Sequence, residues 1–202
     1  MDHKAFADEL KRLDAFATEG YVLALHIRFT SAMLHYQTYS QAWKDYYSDH
    51  GFFMRDPVVA WAFSSQGWTR WSNPEIHDPF GIFAQAAEFG LRYGVTFSVG
   101  PVRARSVASL ARRDREFSDR EIAVLEKLVH RLHDMSRPPT SLTRAQLDAL
   151  QSIADGNRHA AAAAKLEISE SALKLRLASA REKLMARTTA EAIQRAKDYN
   201  LM

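Results

Sequence analysis

Four side chains in the first third of the chain have the types and spacing to hold a small molecule with a polar head. Tyr39, Trp43 and Tyr47 recur at every fourth residue, and Asp56 follows nine residues after Tyr47. On a helix, residues four apart share a face, so the three aromatics would form one stripe. The Trp ring offers one N–H donor, each Tyr a hydroxyl that donates and accepts, and an ionised Asp accepts only. Such groups on apolar bodies line pockets for ligands that are mostly apolar with a few amide-like atoms. The same spacing also packs a hydrophobic core, and taken alone it favours packing.

The elements that would position these residues alternate between helix and strand. Phe6, Leu10, Leu13 and Phe16 predict a helix over 5–16, and Tyr21–Ile27 is rich in strand formers. Residues 32–36 follow as a second strand, and the aromatic stretch 39–47 as a helix in part. Asp56-Pro57 predicts a helix start, because Asp caps well and Pro fits the first turn. That helix runs over 58–64, followed by a region holding Trp68 and Trp71 that ends at Asn73-Pro74. Residues 82–93 predict a helix, 95–99 an alternating strand and 106–111 another. Ser118-Asp-Arg-Glu121 is a capping box opening a long helix to Met135. This order predicts an antiparallel sheet in an α/β/α sandwich over residues 1–135.

Ser136-Arg-Pro-Pro-Thr-Ser141 reads as a short stiff linker. Beyond it, residues 142–202 predict a small all-α domain. Thr143-Arg-Ala-Gln146 is a second capping box; a short helix over 158–166, a turn, a helix over 170–184 and a final helix from Thr188 to Tyr199 follow. A short helix, a tight turn and a basic helix make a helix-turn-helix arrangement. A small bundle with a charged outer face would show the same pattern.

The chain has 202 residues, net charge +3 and no cysteine, so disulfides, thiolate metal sites and cysteine nucleophiles are excluded. From Leu142 onward ten Lys/Arg face seven acids, so the whole positive excess falls in the tail, where it suggests an anionic partner. No apolar run approaches the ~18 residues of a membrane span, and the charged N-terminus is no signal peptide. His130 and His133 stand three apart on the long helix, yet no third metal ligand accompanies them and both are expected to be exposed. No phosphate loop, HExxH or nucleophile elbow is present, and nothing orients a nucleophile between Asp49 and Asp56, so no enzyme is expected.

The tail resembles the DNA-binding domain of the LuxR family. Leu142-Thr143, Leu150-x-x-Ile153-Ala154-x-Gly156, Ile168-Ser169-Glu170, Leu173-Lys174-x-x-Leu177, Lys183-Leu184 and Arg187-Thr-x-Ala190-x-Ala192 fall in register with it. The front resembles the acyl-homoserine-lactone-binding domain of the quorum-sensing members, through Tyr39, Trp43, Tyr47, Asp56-Pro57, Trp71 and Phe89-Gly-Leu-x-x-Gly94-Val-Thr96. The resemblance implies a cytoplasmic regulator that binds an N-acyl homoserine lactone and double-stranded DNA, acts as a homodimer and needs no cofactor. It implies that Trp43 donates to the lactone carbonyl, Asp56 accepts from the amide N–H and Tyr39 donates to the acyl carbonyl. Tyr47 and Trp71 wall the pocket, and Ser109 lies near the acyl chain. Ser171, Lys174, Arg176 and Arg181 would meet DNA, with the long helix 121–135 and the last helix as sites of self-association.

The departures from that pattern support an alternative. The chain begins later than many relatives, Ser98 stands where Pro is usual, Gln146 replaces Glu and Glu167 replaces a turn Gly. Ala160–Ala164 replaces a more polar helix, and Ala178-Ser179 replaces Ser-Asn. A chain so altered would fit an antiactivator that forms a heterodimer with a full-length relative, or an orphan that works without ligand.

Overall fold

The computed structural model describes residues 3–28, 31–137, 139 and 141–202. It divides into two compact units, 1–137 and 138–202. Of the linker expected at 136–141, Pro138 and Thr140 lie outside the described residues.

The first unit is built on five antiparallel strands: β1 (Tyr21–Ile27), β2 (Leu34–Gln37), β3 (Gly67–Arg70), β4 (Tyr93–Val99) and β5 (Arg105–Arg112). They lie in the order β2-β1-β5-β4-β3. Side chains alternate between the two sheet faces. Tyr21, Leu23 and Leu25 of β1, Val95 and Phe97 of β4, and Ala108 and Leu110 of β5 meet α1 (His3–Asp14) and α5 (Asp119–Met135). Leu13, Ile122, Leu125, Leu128 and Leu132 fill that layer from the helices. The opposite face is covered by α2 (Gln41–Asp49), α3 (Pro57–Ser64) and α4 (Ile82–Glu88), with Trp43, Phe52, Ile82 and Ala86 packed beside Leu91 and Ala111. The result is the expected α/β/α sandwich.

Local chemistry sets the boundaries. The capping box of α5 is complete: Ser118 Oγ accepts from the Glu121 N–H at 3.3 Å, and Glu121 Oε2 accepts from the Ser118 N–H at 2.8 Å. Asp56 caps α3 through Oδ1, which accepts from the N–H groups of Val58 and Val59 at 2.9 and 3.4 Å. Ser98 puts its hydroxyl 2.6 Å from the Ala62 carbonyl and 2.8 Å from that of Ser65, which fastens the end of α3 to β4.

Three expectations shift. Tyr39 is not on a helix, because Ser40 caps α2 by accepting from the Trp43 N–H at 3.3 Å. Only Trp43 and Tyr47 therefore share the helical stripe. The helix expected over 82–93 stops at Glu88, where Gly90 turns the chain at φ +91° and sends Tyr93 into β4. The sequence also gave no sign of β3, whose four residues include Trp68 and whose partner is β4.

The second unit is all-α: α6 (Arg144–Ala154), α7 (His159–Lys165), α8 (Glu170–Lys183) and α9 (Thr189–Asp198). Leu150, Ala163, Leu173, Leu177, Leu184 and Ala196 are among its buried core. Thr143 and Gln146 complete the box before α6, and Gln146 Nε2 donates to Ser179 Oγ at 2.9 Å, joining α6 to α8. Glu167, between α7 and α8, takes a left-handed backbone at φ +53°.

Candidate ligand cavity

Between the sheet and the α2–α4 layer lies a cavity of about 790 Å³. Its walls come from both layers: Val22, Ala24, Thr96, Val107 and Ser109 from the sheet, and Trp43, Tyr47, Asp56, Val59, Ala62, Ile82 and Phe83 from the helical side. That size suits a drug-sized ligand, and the mix of apolar walls with few polar groups is the ordinary make-up of such a site. All six ligand-site residues expected from sequence line it: Tyr39, Trp43, Tyr47, Asp56, Trp71 and Ser109.

Their polar atoms form two clusters. In the first, Tyr47 donates its phenol to Asp56 Oδ2 at 2.8 Å while Oδ1 holds the start of α3. Burial raises the pKa of Asp56, and the Tyr47 hydroxyl and the two α3 N–H groups pull against that rise. Burial and the adjacent carboxylate raise the Tyr47 phenol as well. Tyr47 is thus more than packing: it holds Asp56 in place.

In the second cluster, Tyr39 donates to the Ser109 carbonyl at 2.7 Å. The Trp71 ring N–H reaches Thr96 Oγ1 at 3.0 Å and Ser109 Oγ at 3.3 Å, and those two hydroxyls lie 2.7 Å apart. Two hydroxyls carry two protons and their mutual bond uses one, so one proton is left to donate into the cavity. Trp71 stacks on Phe83 with centroids 5.5 Å apart. Thr96 is the member that sequence did not single out as a site. The alternation of Val95-Thr-Phe-Ser-Val99 does place it on the face opposite the Val95 and Phe97 core.

Trp43 is 4% exposed, with its ring edge-on to Tyr47 of the first cluster at 5.5 Å. Its indole N–H makes no hydrogen bond with the described residues, which leaves an unpaired donor on a residue of the cavity wall.

Other sequence candidates fall elsewhere. His133 is buried, not exposed: Ser106 Oγ lies 2.7 Å from its Nδ1, and its ring lies 4.4 Å from that of His26. No group of three or more His, Cys, Asp or Glu among the described residues could hold a metal. Among the described residues no helix is long and apolar enough to cross a membrane. On α8, Ser171 and Lys174 are exposed. Arg181, seven residues beyond Lys174, shares its stripe, and its Nη1 lies 3.5 Å from the Arg187 carbonyl. Arg176 is two residues beyond Lys174 and so lies about 200° round the helix from it.

Residues 11–135, which span every strand of the sheet and all the residues around the cavity, match the autoinducer binding domain. The chain belongs to that family. The transcriptional activator protein RaiR of Rhizobium etli is 33% identical over 178 residues, covering 76% of this chain and 71% of RaiR. The HTH-type quorum-sensing regulator RhlR of Pseudomonas aeruginosa is 28% identical over 148 residues, covering 66% of this chain and 61% of RhlR. By name, one of these relatives is a transcriptional activator and the other a quorum-sensing regulator. The fold is that of SdiA of Escherichia coli, with TM-score 0.54, 24% identity and coverage of 97% of this chain and 91% of SdiA. A second SdiA structure, in complex with octanoyl-rac-glycerol, gives TM-score 0.53 at 23% identity, covering 96% and 88%. Membership of the autoinducer-binding family implies a small-molecule ligand.

Proposed function

We propose that the chain is an N-acyl-homoserine-lactone-responsive transcription regulator that binds DNA as a dimer. The observation that carries the ligand is the polar lining of the cavity, whose donors and acceptor complement the three polar groups of such a lactone. The Trp43 N–H, which has no partner among the described residues, suits the ring carbonyl. Asp56 Oδ2 already accepts from Tyr47 and has a lone pair left for the amide N–H. The acyl carbonyl finds the spare proton of the Thr96–Ser109 pair, or Tyr39 once it leaves the Ser109 carbonyl. Val22, Ala24, Val59, Ala62 and Val107 offer an apolar bed for the chain. Each buried polar group without a partner costs ~1–3 kcal/mol, so ligand would stabilise the native state.

For DNA, the support is the tight turn between α7 and α8, the exposed Ser171 and Lys174 on α8 and the positive excess of the tail. RaiR and RhlR are by name a transcriptional activator and an HTH-type quorum-sensing regulator. The test is fluorescence anisotropy of labelled palindromic DNA through a salt series, with and without an N-acyl homoserine lactone. Affinity should fall steeply as salt rises. No binding at low salt in either arm sinks the DNA half of the proposal. Unchanged melting temperature across a panel of lactones sinks the ligand half.

A further inference from the structure

Arg105 opens β5 and is 2% exposed, yet its Nε and Nη1 are buried without a hydrogen-bond partner. No hydrogen bond or ion pair reaches its guanidinium among the described residues. A buried guanidinium without an acceptor is among the costliest arrangements a fold can carry. Its position gives that cost a use. Residues two apart on a strand share a face, so Arg105 stands on the same face as Val107 and Ser109, both of which line the cavity. Its cross-strand partner is Ile27, which lines the cavity too. Of the cavity-lining residues at this end, Ala24 and Ala32 are small and apolar, and His35 stands across from Ala24 on β2. Among the described lining residues the carboxylate is Asp56, which is engaged with Tyr47 and the start of α3.

We infer that Arg105 anchors the far end of the ligand, and that the cavity takes an acyl chain ending in an oxygen acceptor, a carboxylate above all. The inference rests on the lactone reading of the same cavity. Ser109 and Arg105 are four strand residues apart, roughly 13 Å at about 3.3 Å per residue. A ligand whose amide sits at Asp56 and Ser109 therefore runs toward Arg105 along the sheet. A planar guanidinium binds a carboxylate through two parallel N–H···O bonds, which no alkyl terminus can match. Lys44, which lines the cavity, is the competing anchor for a ligand bound in reverse.

The test is a matched pair of ligands, N-octanoyl homoserine lactone and its analogue with a terminal carboxylate, titrated calorimetrically into the full chain. The carboxylate form should bind at least about tenfold tighter, as a charge-assisted bidentate pair implies. Arg105→Leu should reverse the preference, Arg105→Lys should keep part of it, and Lys44→Gln should leave it intact. Arg105→Gln covers the case in which the Leu variant does not fold, and should abolish the preference. Equal or weaker binding of the carboxylate form by the parent chain overturns the inference. So does a preference that survives Arg105→Gln, or one that Lys44→Gln removes. Binding of the octanoyl lactone alone overturns only this inference, whereas binding of neither overturns the lactone reading with it.

Discussion

Tyr47 and Asp56 are joined phenol to carboxylate across 2.8 Å, and the other Asp56 oxygen holds the first N–H groups of α3. One residue thus sets the start of a helix and presents an acceptor to the cavity. Asn is about as good an N-cap as Asp, so Asp56→Asn should keep the start of α3, while losing the acceptor for the Tyr47 phenol should lower the melting temperature of the ligand-free protein modestly. It replaces a charged acceptor with a neutral amide. A hydrogen bond to a charged group is worth about 1.5–3 kcal/mol, so lactone affinity should fall by ten- to a hundredfold. Calorimetry showing affinity within twofold of the parent would remove Asp56 as the polar anchor.

The buried, adjoining rings of His26 and His133, with centroids 4.4 Å apart, should make the first unit acid-sensitive. His26 Nε2 lies 2.9 Å from the His133 carbonyl at the end of α5. Burial, and then the neighbouring His133, lower the His26 pKa to about 4 from an ordinary 6.5, and burial lowers His133 too. Arg137 opposes protonation of His26 and Asp134 favours it. Between pH 6.5 and 4 the unfolded state holds more protons on this group than the folded state does. The stabilisation from neutral His26 is therefore complete above pH 6.5 and is lost as pH falls toward 4, by up to ~3 kcal/mol. His26→Asn accepts the left-handed backbone at this position and does not titrate. Melts at pH 7, 5.5 and 4.5 should show a shallower acid decline in the variant, and parallel curves would contradict this.

Gly94 is where β4 lets the Trp71 ring lie against the sheet. A Cβ at this position would run into the Trp71 indole. Gly94→Ala should push Trp71 off Thr96 and Ser109, with a loss of about 1–3 kcal/mol as small-to-large changes in packed sites give. Tryptophan fluorescence should shift as that ring loses its hydrogen bonds. Ligand affinity should drop with it, and a variant as stable as the parent with unshifted emission would show that the ring has another berth.

How far these features could be read from sequence depends on how local their causes are. The capping boxes at Ser118 and Thr143 and the Asp56-Pro57 start are written in neighbouring residues, and each appears where its motif predicts. The stripe of three aromatics was misleading because Ser40, lying between Tyr39 and Trp43, is a better cap than an interior residue. Tyr39 still reaches the cavity, by a route that periodicity does not describe. Strand β3 has only four residues and exists through its pairing with β4, a contact made far along the chain. The burial of His133 and the cavity position of Thr96 depend likewise on which element covers which face. The unpartnered Arg105 has no sequence signature at all.

Of the three cations on α8 expected to meet DNA, Lys174 and Arg176 should contribute unequally. Lys174 is exposed beside Ser171, whereas Arg176 lies on another side of the helix. Lys174→Ala should weaken DNA binding and lower the salt slope by about one phosphate contact. Arg176→Ala should change the slope by less. An equal effect of both would mean that α8 meets DNA along a different face.

Glu167 offers a test of the second unit by itself. It sits between α7 and α8 at φ +53°, its N–H bonded to the Ala164 carbonyl at 3.1 Å. A residue with a Cβ in this conformation costs roughly 1–2 kcal/mol, which glycine avoids. Glycine also gives the unfolded chain more freedom, which costs about 0.4–1 kcal/mol. The conformational gain is the larger of the two, so Glu167→Gly should stabilise the unit by about 0.5–1 kcal/mol. Glu167→Ala keeps the Cβ and removes only the carboxylate, so it should bring no such gain. Denaturant unfolding of both variants separates the causes. A gain shared by Ala and Gly would trace the cost to the charge of Glu167, and a loss in Gly would mean that the turn tolerates its Cβ without strain.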